Sequence, residues 1–134
     1  MQDTSITPHQ FVQSHRSLRL AKGKTHFQKQ ESVKAFEKMH SPVTWRVVVG
    51  DIKKMAYMFW IYCGSADGPR RGFLAIMHGP DFHILGSLNK GDVIFLKGEP
   101  EMRGTWIDCY DSDILMTDEN EELILDHATI VSSR

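Results

Sequence analysis

Residues 72–97, GFLAIMHGPDFHILGSLNKGDVIFLK, decide the fold. Residues 72–78 are a nearly unbroken apolar run bounded by glycine, which reads as a strand. Gly79-Pro80 closes it. Phe82, Leu85 and Leu88 then recur at intervals of three, the spacing of a short helical turn over 81–89. Gly91-Asp92 opens the next apolar run, 93–97 (VIFLK). A helical turn between two strands narrows the choice among small β folds.

Upstream, residues 43–50 (VTWRVVVG) are β-branched and aromatic and read as a first strand. Residues 51–54 (DIKK) read as a short connection, 55–63 (MAYMFWIYC) as a second strand, and 64–69 (GSADGP) as a turn. Downstream, 98–104 (GEPEMRG) read as a loop and 105–116 as a further strand. A polar turn precedes the closing strand at 123–131 (LILDHATIV). Before Pro42 the texture is helical. Thr7-Pro8 supplies an N-cap and first helical residue for a helix over 8–21. A second pattern over 25–40 carries Val33 and Phe36, and Ser41-Pro42 ends it because the residue before proline leaves the α region. The expected class is mostly β with N-terminal helices (α+β). Residues 1–42 form a basic helical segment, and 43–134 a small five-stranded Greek-key barrel with a hairpin inserted near 105–116.

The order β-β-β-α-β-β resembles OB-fold domains of the broad tRNA-anticodon-like, nucleic-acid-binding group. The carrying residues are 43–52 as the first strand, the helix-to-strand passage 88–98 (LNKGDVIFLKG) and 123–131 as the last strand. The segment 105–116 departs from that pattern. The resemblance implies a groove across the second and third strands that stacks bases on aromatics and tracks phosphates with Lys and Arg.

Composition bounds the alternatives. The chain has 134 residues, 41% hydrophobic and 25% charged, an ordinary globular mix for one domain. No 18-residue apolar run exists, so no membrane helix is expected. MQDTSITPHQ has no apolar signal region, and Cys63 and Cys109 are too few for a disulfide framework, so a cytoplasmic setting is expected. The net charge of −1 hides an asymmetry: +5 over residues 1–46, +2 over 47–90 and −8 over 91–134. That pattern fits either a polyanion partner for the front segment or packing of the front against the back.

The candidate nucleic-acid-binding residues are the aromatics Trp60, Tyr62 and Phe73 with the cations Arg46, Lys53, Lys54, Arg70 and Arg71. Alternation puts Tyr57, Phe59 and Ile61 on one face of the second strand and Met58, Trp60 and Tyr62 on the other. Trp60 and Tyr62 have polar handles and suit the half-exposed face. The competing reading packs these aromatics beneath the N-terminal helices. The acids Asp108, Asp111, Asp113, Asp118, Glu119, Glu121 and Glu122 lack an EF-hand pattern and read as a solvated loop and strand edge. Seven histidines show no tight ligand spacing. His78 and His83 bracket Gly79-Pro80 and could meet, with a cysteine, around zinc, but structural or surface roles are the expectation, so no metal and no cofactor is expected. No nucleophile elbow, P-loop or G-x-G-x-x-G occurs. The sequence therefore points to a non-catalytic module binding single-stranded DNA or RNA. The alternative is a protein-interaction or assembly module, its groove covered by its own helices, a partner chain or a second copy. A small-ligand barrel is disfavoured, because the bulky side chains fill the interior.

Overall fold

The computed structural model describes residues 6–79, 82–103 and 122–132. Helices α1 (Pro8–Arg19) and α2 (His26–Met39) precede five strands: β1 (Val43–Met55), β2 (Met58–Ser65), β3 (Gly72–Met77), β4 (Val93–Arg103) and β5 (Glu122–Ser132). A short helix, α3 (Phe82–Gly86), lies between β3 and β4. The strands close into a barrel in the order β1-β2-β3-β5-β4, with β4 returning to β1. Neighbours are antiparallel except β3 and β5, which run parallel through Leu74↔Ile124 and Ala75↔Leu125. The expected small five-stranded barrel with preceding helices is thus the architecture found. The expected hairpin at 105–116, and the acids from Asp108 to Glu121, lie outside the described residues.

Two strands are longer than their sequence suggests. Residues 51–54, expected as a connection, continue β1 past a bulge between Val49 and Asp51. Ala56 and Tyr57 make the turn, with Met55 paired to Met58. That turn holds no Gly, Pro or Asn, so nothing local announces it. Tyr57 consequently sits in the turn, 92% exposed, and not on the Phe59 face. Residues 98–103, expected as a loop, continue β4 beside β5. Beyond Val43↔Gly98 that stretch has no β1 partner, and a strand edge tolerates Pro100. Gly98 has its own reason: a Cβ there would lie 2.8 Å from the Asp126 carbonyl oxygen and from Leu125 Cγ.

Strand alternation fills the barrel. Val43, Trp45, Val47 and Val49 of β1 face Phe59, Ile61 and Cys63 of β2, Phe73, Ala75 and Met77 of β3, and Ile94 and Leu96 of β4. Phe11 and Val12 of α1 belong to the same core. An aromatic series runs from helix to barrel: Phe36 to Phe11 at 5.1 Å, Phe11 to Trp45 at 6.3 Å and Trp45 to Phe73 at 5.3 Å. Trp45 Nε1 donates to the Ile6 carbonyl at 2.6 Å, which satisfies the indole N–H where it is buried. α1 and α2 each start on a capping box, Thr7 with Gln10 and Thr25 with Gln28.

A buried polar network ties the helices together. Arg19 Nε donates to His15 Nδ1 at 3.1 Å. His15 Nε2 must then carry the proton and donate to Glu37 Oε2 at 3.2 Å. The same carboxylate oxygen accepts from the Met102 backbone N–H at 3.2 Å, joining α1, α2 and β4 at one atom. No helix among the described residues is long and apolar enough to cross a membrane.

Candidate nucleic-acid interface

Antiparallel partners point to the same side of a sheet, so the β1–β2–β3 register sets the outer face. Lys53 pairs with Trp60, and Trp60 with Ile76; Asp51 pairs with Tyr62, and Tyr62 with Leu74. Leu74 in turn pairs with Ile124. Met58, Trp60 and Tyr62 are half-buried over Leu74, Ile76 and Ile124, an apolar cluster outside the barrel core. Trp60 and Tyr62 meet edge to face, their ring centres 6.4 Å apart. Trp60 Nε1 points to Met58 Sδ at 3.2 Å. Lys53 Nζ lies 5.4 Å from the Tyr62 ring centre, a cation over an aromatic face.

The helices spend their apolar side elsewhere. Phe11, Val12 and Phe36 pack in the core that contains Trp45, and among the described residues the Trp60 cluster is made of strand residues alone. Among the rings expected to stack bases, Phe73 is a correction: it is 7% exposed, inside the barrel against Trp45. Every position from Phe73 to Met77 is apolar and buried, so alternation left its facing unmarked.

The expected cations divide into two places. Both Lys53 and Lys54 are exposed on the extended part of β1, Lys53 beside Trp60 on the outer face and Lys54 on the opposite face beside Phe59. Arg46, Arg70 and Arg71 gather at the β2–β3 turn. There Arg46 pairs with Asp67 at 2.9 Å and its carbonyl accepts from Ala66 N–H. Arg70 is exposed. Arg71 is half-buried, its backbone N–H held by Ser65 Oγ at 2.9 Å and its Nη2 3.5 Å from His9 Nδ1.

Lys90 lies between these two groups and was not singled out from the sequence. It lines a cleft of about 650 Å³ with Lys54, Phe59, Leu85 and Leu88. It also lines a hollow of about 370 Å³ that holds Arg70. Its only sequence signal is its place in the Lys90-Gly91-Asp92 turn before β4. There the Gly91 and Asp92 backbones bond to Val49 and hold the turn against the β1 bulge.

The pairing of β3 with β5 brings a second polar group together. His78 Nε2 lies 2.8 Å from Asp126 Oδ1, and His127 Nε2 3.9 Å from Asp126 Oδ2. Burial alone would raise the Asp126 carboxyl. The His78 hydrogen bond, the His127 backbone N–H and the two imidazole charges outweigh it and lower the carboxyl below its ordinary 3.8. Cys63 is no partner for His78, because its thiol is buried, faces the Phe73 carbonyl at 3.7 Å and is pushed up to about 12 by burial.

No protein-family model matches the chain, and comparison with curated proteins and with solved structures finds no match either.

Proposed function

We propose that this chain is a non-catalytic module for single-stranded nucleic acid, carried on an OB-type barrel and bound on the outer face of β2. The observation that carries the reading is the half-exposed Trp60–Tyr62 pair, seated on Leu74 and Ile76 and flanked by Lys53. Bases stack on the two rings and Lys53 meets the phosphates beside them, while Lys54, Arg70 and Lys90 extend the positive charge around the edge of that face. Stacking is worth about 1–3 kcal/mol per base and tolerates any sequence. The arrangement therefore suits strand binding with little base preference.

Trp60→Leu tests this while keeping apolar cover over Ile76. We expect it to weaken oligo-dT binding about tenfold or more, with Lys97→Ala as an exposed control on β4 that leaves affinity unchanged. Equal affinity for Trp60→Leu and the parent would overturn the site.

The second reading, a protein-interaction or assembly module, draws on α2. Phe27 and Met39 are 68% and 75% exposed there, apolar side chains unlike those that seat the helix. It predicts that Phe27→Ser with Met39→Ser removes self-association seen by sedimentation and leaves strand binding intact.

A further inference from the structure

We propose that His78, Asp126 and His127 form a binding site for a divalent transition-metal ion of the zinc class. Each offers one ligand atom, and these atoms lie within 4.8 Å of one another. Ligands about 2.0–2.2 Å from a tetrahedral zinc stand roughly 3.3 Å apart. His78 Nε2 stands 2.8 Å from Asp126 Oδ1 and His127 Nε2 3.9 Å from Asp126 Oδ2, on either side of that spacing, so rotation of the carboxylate and the two rings seats the ion. Two imidazoles and one carboxylate suit zinc, cobalt or nickel better than calcium or magnesium, which prefer all-oxygen shells. Solvent fills the remaining positions, because His78 and His127 are exposed.

The backbone carries a second argument. Adjacent residues of a strand normally face opposite sides, so Asp126 and His127 should not share a ligand. They do so because β5 carries an extra residue between Asp126 and Thr129 where β4 passes only from Lys97 to Glu99. At that bulge His127 takes φ +49°, a left-handed conformation that only a few per cent of non-glycine residues adopt. The kink turns His127 outward beside Asp126 and returns Ala128 to the core. Glycine would hold this conformation without strain, yet a histidine, with a nitrogen able to bind a metal, stands there.

Arg103 is the opposing feature. Its Nη2 lies 3.5 Å from Asp126 Oδ2 and repels a cation, while its Nε donates to Glu101 Oε1 at 2.7 Å. Its side chain is half exposed, and rotation toward Glu101 alone frees the second Asp126 oxygen.

Cobalt(II) titration of the full chain, followed by visible absorption and then by zinc displacement, tests the site. We expect one saturable equivalent whose bands collapse on adding zinc. Asp126→Asn, nearly isosteric, and His127→Gly, which keeps the bulge without strain, should each weaken binding at least about tenfold. Arg103→Gln should tighten it. Imidazole nitrogen shifts should move at His78 and His127 alone among the seven histidines. Absent saturable binding, unchanged affinity in both ligand variants, or shifts confined to other histidines would overturn the proposal.

Discussion

Glu37 shows how much one atom can hold. Its Oε2 accepts from His15 and from the Met102 backbone, so Glu37→Ala leaves two donors without that acceptor. An unsatisfied buried donor costs about 1–3 kcal/mol, and chemical denaturation should show a loss of that size. At Cys63 the thiol, at about 12, stays protonated at neutral pH. Peptide mapping should find Cys63 unalkylated in native protein at pH 8 and alkylated once guanidinium unfolds the chain. Asp126 gives a pH dependence of definite sign. Its carboxyl is lowered on folding, so its stabilisation is whole above the ordinary 3.8 and is lost as the pH falls below that value. Asp126→Asn should remove this part of the acid-side decline in melting temperature. Legibility at this scale was uneven. Alternation put Trp60 and Tyr62 on one face of β2, but both faces of that strand are apolar, and only the polar handles of the two rings marked theirs as the half-exposed one. Phe73 could not be placed the same way, since β3 is apolar on both faces.

Elements carry energy that single side chains do not. α1 places Phe11 and Val12 in the barrel core, fully buried. Phe11→Ala should therefore cost about 3–5 kcal/mol, and removal of residues 1–42 should uncover Trp45 and lower the barrel's melting temperature sharply. A barrel that keeps its melting temperature without the helices would contradict this packing. The helices were legible through Thr7-Pro8 and Ser41-Pro42, whose chemistry is local. The true lengths of β1 and β4 were not. Asp51, Lys53 and Lys54 look like a connection until the β2 register shows them paired. Gly98 and Pro100 look like a loop until the lost β1 partner shows why a strand edge accepts them.

At the scale of the molecule, closure brings together residues that no spacing rule links. His78 and Asp126 are 48 positions apart and meet because β3 runs parallel to β5. Lys54, Lys90 and Arg70 flank neighbouring hollows because the turn before β4 packs on the β1 bulge. Charge asymmetry along the chain fitted either a polyanion partner for the front segment or packing of the front against the back. On the proposed reading the strand lies on the β2 face, with Lys53 on it and those cations around its edge. Binding there should depend on salt, with log affinity falling by about 0.7 per phosphate neutralised for each unit of log salt. Four cations give a slope of roughly −3.

The most direct test is a fluorescence titration of the full chain with oligo-dT and a matched RNA across a salt series, beside Trp60→Leu. We expect saturable quenching, a slope of roughly −3, and loss of most of the quenching and at least about tenfold in affinity for the variant. No quenching at high micromolar strand, or full quenching in Trp60→Leu, would contradict it.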